Sequence, residues 1–211
     1  QKERPRTADF WREPLVGFAD AWHPDIQNLP DVVHPQHVLP QEILPHPTII
    51  IAYFLPFQKS LIQTNIAGTF ASPEWAEAYE ETNALFCRLN HAIIEVLQRQ
   101  GIEANISPEA SVFDEKVLKS KWSQRHIARV AGLGTFGLNN MLITAAGCCG
   151  RLSTVVTNLR VTADTPLLTE NCLYKKSGRC GLCVKRCPSG ALKFAGYDRK
   201  ICFELCEENA A

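Results

Sequence analysis

The chain has 211 residues, with 22 Lys+Arg balanced by 22 Asp+Glu, so its formal charge is zero. That length suits one domain with a real core, and the balance lacks the basic excess that draws a protein to nucleic acid or anionic membranes. Apolar residues at 45% and charged residues at 21% exclude a disordered chain, and the longest apolar run, 49–55, is too short to cross a bilayer.

Residues 1–47 read as a Pro-rich N-terminal arm. Eight of the 13 prolines and four of the six histidines fall in 1–48, and each proline removes a backbone donor and biases its predecessor toward extended conformations. One short helix is expected around 8–21. His23, His34, His37 and His46 match no ligand spacing and are read as solvated loop residues. Residues 48–165 read as an α/β domain. It opens with 48–55 (TIIIAYFL), a β-branched and aromatic run between prolines that suits a strand buried on both faces. Ser72-Pro73 starts a long helix, a capping residue followed by a proline at the first helical position. Trp75, Tyr79, Phe86, Leu89, Ile93 and Val96 give that helix one apolar stripe, with Cys87 read as a packed thiol beside it. A second strand is expected over 102–107, a helix over 116–130, and strands over 141–145 and 152–159. This order predicts an α+β or mixed-sheet domain.

The last segment, 166–211, carries six of the nine cysteines. No signal-peptide pattern precedes them, the count is odd, and they cluster. This points to a reducing, cytoplasmic compartment and metal ligation rather than disulfides. Cys180-Gly-Leu-Cys183-Val-Lys-Arg-Cys187-Pro188 has the C-x2-C-x3-C-P spacing of the bacterial ferredoxin run, with Cys172 standing in for the first cysteine. Thiolates suit the soft irons of a sulfide-bridged cluster. The alternative, structural zinc, usually uses two separated C-x2-C pairs. In two-cluster ferredoxins the cysteine before proline serves the other cluster. Cys172, Cys180 and Cys183 would then share one [4Fe-4S] cluster, while Cys187 joins Cys202 and Cys206 in a second; a single cluster is the other possibility. Cys148 and Cys149 are adjacent, and adjacent cysteines seldom bind one metal ion together. Residues 171–200 hold eight Lys/Arg against one acid, Asp198, which suits an anionic cluster or an acidic redox donor protein.

Gly132-Leu-Gly134-Thr-Phe-Gly137 is formally G-x-G-x-x-G. A dinucleotide loop follows a strand and opens a helix; here the order is inverted, so the glycines indicate a tight turn or close approach to a bulky ligand. His126 and Asp114 are the candidate proton donors, against a packed histidine and a helix-capping aspartate.

Two stretches together resemble the epoxyqueuosine reductase family. One is 131–139 (AGLGTFGLN) with 141–144 (MLIT) and 147–157 (GCCGRLSTVVT). The other is the cysteine run through Ala191-Leu192, followed by Asp198-Arg-Lys-Ile-Cys202; 40–45 (PQEILP) resembles the family's entry into its first strand. The likeness is nearest to short iron–sulfur proteins of this group, which is related to the corrinoid-dependent reductive dehalogenases. It implies a nitroreductase-like mixed α/β domain with a C-terminal ferredoxin-like [4Fe-4S] module. It also implies a corrinoid (cobalamin) beside the 131–140 loop, with Gly132, Gly134, Gly137 and Asn139 as cofactor-binding positions. The chain departs from the pattern at Gly137-Leu138-Asn139, where the reductases have Gly-Lys-Asn. Their general-acid aspartate has no match at its expected distance before Ala131, so Asp114 would need a short insertion. The helical repeats that hold tRNA are absent, which with zero net charge argues against a nucleic-acid partner. The expectation is an iron–sulfur oxidoreductase acting on a cofactor or small-molecule substrate near 131–140. A non-catalytic electron carrier or redox sensor and a zinc-stabilised interaction protein are the alternatives.

Overall fold

The apolar run at 49–56 forms the spine of the molecule. The computed structural model describes residues 10–210. In chain order its body comprises β1 (Leu15–Asp20), short helices α1 (Pro24–Gln27), α2 (Leu29–Val32) and α3 (Pro40–Ile43), then β2 (Ile49–Pro56), α4 (Lys59–Thr64) and α5 (Pro73–Arg99). There follow β3 (Ala104–Asn105), β4 (Phe113–Asp114), β5 (Lys119–Ser120), α6 (Gln124–Val130), β6 (Gly134–Phe136), β7 (Leu142–Thr144) and β8 (Gly150–Thr157). The cysteine segment adds α7 (Leu173–Ser177), α8 (Leu182–Lys185), β9 (Leu192–Lys193), β10 (Gly196–Tyr197) and α9 (Arg199–Ala210).

The main sheet has the order β1-β2-β8-β3, and every pairing in it is antiparallel. Alternate side chains of a strand point to opposite faces. Ile50 and Ala52 pack with Trp122, Ile127 and Val130 on the α6 side. Ile49 and Ile51 meet Ile93, Ile94 and Leu97, and Tyr53 and Leu55 meet Phe86 and Leu89, all from α5. Helices thus cover both faces, which is why β2 is buried at every position although its neighbours are antiparallel. One buried polar knot crosses the α5 face. Tyr53 Oη donates to Asn90 Oδ1 at 2.7 Å, and Asn90 Nδ2 donates to Ser153 Oγ at 3.1 Å. No helix of the described residues is long and apolar enough to cross a membrane.

Several expectations need correction. Within 8–21 the described residues form the strand β1 rather than a helix, because Leu15–Asp20 satisfies its backbone against β2. Residues below 10 lie outside the described part. The helix expected over 116–130 is only α6. Ahead of it, Leu118 adopts φ 53° to close the β4–β5 hairpin, and Trp122 turns into the core. The 102–107 strand shortens to β3. On α5 the Ser72 cap is present, its Oγ accepting from Trp75 N at 3.1 Å. The buried stripe, however, runs through Ala78, Thr82, Phe86 and Asn90. Tyr79 and Val96 are exposed, Tyr79 because its ring takes the Arg151 guanidinium at 4.1 Å. Cys87 is exposed as well. His34 and His37 are buried, since the proline-rich segment wraps the α6 side instead of standing free.

Candidate functional site

The cysteine segment is tied to the 131–140 loop at its first residues. Asn171 N donates to Thr135 Oγ1 at 2.8 Å and Asn171 Nδ2 donates to Ile143 O at 2.7 Å, clamping the segment to both strands of the β6–β7 hairpin. Cys172 follows, buried, at the start of α7. Burial raises its thiol, yet the backbone N–H groups of Lys175, Leu138 and Tyr174 lying against the sulfur outweigh burial and hold it below the ordinary range. Leu138 belongs to the loop, so the first cysteine and the loop meet at one sulfur.

The remaining cysteines fall into groups. Burial pushes the Cys183 thiol up, and the neighbouring Cys172 and Cys180 sulfurs push it the same way. Cys202 and Cys206 neighbour each other on α9, where burial and Cys202 raise Cys206. Cys187 receives Leu192 N at 3.4 Å and faces Ser189 Oγ at 3.6 Å. Among the described residues no three His, Cys, Asp or Glu converge as they would around one metal ion. A cubane binds each thiolate at a different iron, so its ligands surround a volume instead. The donor set fits such a group: the thiols lie in one short segment, and backbone N–H groups meet Cys172 and Cys187 as amides meet cluster-bound sulfur.

The three glycines answer to the chain itself. Gly132 has φ 70°, and a Cβ there would lie 2.7 Å from Thr165 O; one on Gly134 would lie 2.3 Å from Ile143 O and one on Gly137 2.4 Å from Asn139 Oδ1. Asn139 accepts Met141 N at 3.2 Å and donates to Cys148 Sγ at 3.8 Å. These residues make a helix-to-hairpin turn with tight backbone approach, which accounts for them without a corrinoid.

The two proton-donor candidates lie apart, each held by a histidine of the wrapping segment. Asp114, on β4, accepts Lys116 N at 2.9 Å and faces His34 Nε2 at 3.4 Å. The Lys116 N–H, reinforced by His34, holds the carboxyl below its usual range despite opposing desolvation. His126 Nδ1 meets Ser123 Oγ at 2.7 Å, Ser123 N donates to His37 Nε2 at 2.9 Å, and His37 Nδ1 donates to Val38 O at 2.7 Å. The His126 ring rests on Phe136, centroids 4.7 Å apart. Burial, with Arg125 next in weight, lowers His126 to about 4, so at neutral pH it is an uncharged ring and Asp114 a carboxylate. The unfolded chain takes up the His126 proton near pH 6.5 and the folded chain only near 4. Stability therefore falls as pH drops through that window, by about 2 kcal/mol after allowance for partial exposure. Urea unfolding of wild type and His126→Asn between pH 7 and pH 4 is expected to show a loss smaller by about that amount in the variant.

The β4–β5 hairpin also faces the second cysteine group. Phe113 packs on Phe203 of α9, centroids 5.9 Å apart. A cleft of about 860 Å³ separates Glu115–Leu118 from Tyr197, Arg199 and Glu207. Arg125 joins this cleft to the loop: its Nη1 donates to Asn140 O at 2.7 Å, and Arg199 and Tyr197 act on its charge. Residue spacing reveals neither this cleft nor the Asn171 clamp. Asn171 carries no signal beyond standing next to Cys172.

No family model matches the chain. Over 198 residues it is 29% identical to an epoxyqueuosine reductase of Listeria monocytogenes, covering 90% of this chain and 46% of that protein. Over 150 residues it is 27% identical to one from Atelocyanobacterium thalassa, covering 69% and 41%. Among solved structures, epoxyqueuosine reductase from Streptococcus thermophilus superposes with a TM-score of 0.60 at 17% identity, covering 92% of this chain and 54% of that one. Another, described as epoxyqueuosine reductase with an epoxyqueuosine-modified tRNA stem loop, superposes at 0.50 with 19% identity, covering 88% and 50%. The chain spans about half the length of the curated relatives it matches. Sequence and fold agree on one relationship: the chain is similar to the epoxyqueuosine reductases over the half of their length that it spans.

Proposed function

We propose that the chain is an iron–sulfur oxidoreductase of a reducing, cytoplasmic compartment. In this reading Cys172, Cys180, Cys183, Cys187, Cys202 and Cys206 hold one or two [4Fe-4S] clusters in a ferredoxin-like module on a nitroreductase-like body. A cluster bound there would supply single-electron transfer to a reducible group. The observation that carries the reading is the Asn171 clamp, with Cys172 beside Leu138, because it sets the cysteine segment against the 131–140 loop.

The chain's own residues then divide the work. The basic face of 171–200 docks an acidic redox donor protein by charge complementarity. The cleft between the β4–β5 hairpin and α9 receives the substrate, with Arg199 and Lys116 on its walls offering positive charge to an anionic group. Asp114, half-exposed on that hairpin and steadied by His34, holds a proton for the product once a bound substrate desolvates it and raises its affinity for the proton. His126, neutral and packed on Phe136, positions the loop. Zero net charge argues against a nucleic-acid partner, but the tRNA-bound structural neighbour and the basic residues lining the cleft favour testing an epoxyqueuosine-bearing tRNA before small-molecule substrates.

Anaerobic purification with iron, sulfide and released organic cofactors counted per chain tests the first step. Roughly four irons and four sulfides mean one cubane, roughly eight mean two, and zinc without iron overturns the reading. The reduced protein is then given epoxyqueuosine-bearing tRNA. Conversion to the deoxygenated nucleoside supports the enzyme, whereas reversible cluster reduction with no turnover on tRNA or small acceptors identifies an electron carrier.

A further inference from the structure

Cys148 and Cys149 have no part in the ligand set, yet their surroundings differ from those of a packed thiol. They occupy the turn between β7 and β8, both half-buried, with Gly147 at φ 92° ahead of them. Asn139 Nδ2 donates to Cys148 Sγ at 3.8 Å, and the Cys149 side chain follows directly in the same turn. Cys149 also lines a cleft of about 380 Å³, walled by Ile62, Phe70 and Trp75 and capped by Arg186 and Pro188. The backbone holds the turn in place, Phe57 N donating to Cys149 O at 2.9 Å and Thr144 pairing with Gly147.

We propose that Cys148 and Cys149 form a thiol–disulfide exchange site for low-molecular-weight disulfides, with Cys148 as nucleophile and Cys149 as resolving thiol. The Cys148 thiolate attacks one sulfur of the disulfide, forming a mixed disulfide and expelling the first thiolate, which takes a proton from solvent. Cys149 then releases its proton to solvent and attacks the Cys148 sulfur, closing the Cys148–Cys149 bond and expelling the second thiolate. The protein dithiol loses two electrons and the small disulfide gains them as two thiols. Arg186 at the cleft mouth suits a disulfide that carries carboxylates. The hydrogen bonds from Cys149 and Asn139 outweigh desolvation and lower Cys148 to about 6, leaving Cys149 as the protonated partner. The site stands whether or not the cysteine segment holds a cluster.

The readout is separable from every other cysteine. Trypsin releases 130–151, cut after Arg129 and Arg151, and that peptide carries Cys148 and Cys149 and no other cysteine. The full chain, purified anaerobically, is treated with oxidised glutathione at pH 6 and mapped by mass. Wild type is expected to yield 130–151 lighter by two hydrogens, and Cys149→Ser the same peptide carrying one glutathionyl group on Cys148. Serine keeps a donor to the Cys148 sulfur, so that thiolate persists in Cys149→Ser. At pH 6 about half of Cys148 is ionised, against about 0.3% of an ordinary thiol, and the lower intrinsic nucleophilicity returns part of that gain. Cys149→Ser is therefore expected to react about tenfold faster than Cys148→Ser. Equal rates in the two variants overturn the proposal. So does a wild-type peptide that keeps glutathione without an internal disulfide, a result that needs no variant to fold.

Discussion

Trp122→Ala is expected to lower the free energy of unfolding by about 4 kcal/mol. The side chain is 1% exposed at the centre of the core between α6 and the main sheet. Its truncation removes the transfer energy of the largest side chain there and leaves a cavity that a sheet covered on both faces cannot collapse. It also strips a hydrogen bond. Trp122 Nε1 donates to Thr154 Oγ1 at 2.9 Å, while that hydroxyl donates to Gln124 Oε1 at 2.7 Å. The ring further stacks on His37, centroids 5.6 Å apart, so its loss loosens the histidine that accepts Ser123 N and, through Ser123, the seat of His126. Trp122→Phe keeps most of the volume and is expected to cost about 2 kcal/mol, mainly because Thr154 Oγ1 loses the donor it accepts from. Urea unfolding of the two variants distinguishes these contributions. A loss below about 1 kcal/mol for the alanine would mean that the site relaxes in a way this packing does not allow.

Cys183→Ser is expected to remove roughly four irons per chain and the matching visible absorbance under anaerobic purification. Cys183 lies beside Cys172 and Cys180, and serine replaces a soft thiolate with a hard oxygen that binds a cluster iron weakly. Cys202→Ser probes the other group. If it removes a further set of irons independently, two clusters are present; if it changes nothing, Cys172, Cys180, Cys183 and Cys187 serve alone. Cys87→Ser, exposed on α5, is the control expected to keep every iron. Full iron retention in Cys183→Ser would defeat the ligand assignment.

Features whose cause lies within a few residues are legible in the amino-acid sequence. The β2 run is apolar, rich in β-branched and aromatic residues and flanked by prolines, a pattern that suits a strand covered on both faces. Ser72-Pro73 starts α5 because capping is a contact of three residues. The spacing from Cys180 to Pro188 carries its chemistry in the sequence itself, since one short loop must present several sulfurs. The inverted order around Gly132, Gly134 and Gly137 excludes a dinucleotide loop, and the fold adds that Thr165, Ile143 and Asn139 are what those glycines admit.

What depends on partners far along the chain is not legible there. The rotation of α5 that buries Thr82 and exposes Tyr79 is set by Trp11 and Arg151, whose contacts with the helix span 71 and 68 residues. The burial of His37 rests on a bond to Ser123 across 86 residues. The meeting of Cys148 with Asn139 depends on the register of the β6–β7 hairpin. A sequence by itself determines propensity, patterning and the donor set of a compact motif, because these act within a turn or two of backbone. Which thiols share a neighbourhood, which histidines lose their water and which carboxylate faces a cleft are decided only when distant segments pack, because desolvation and hydrogen bonding act through space.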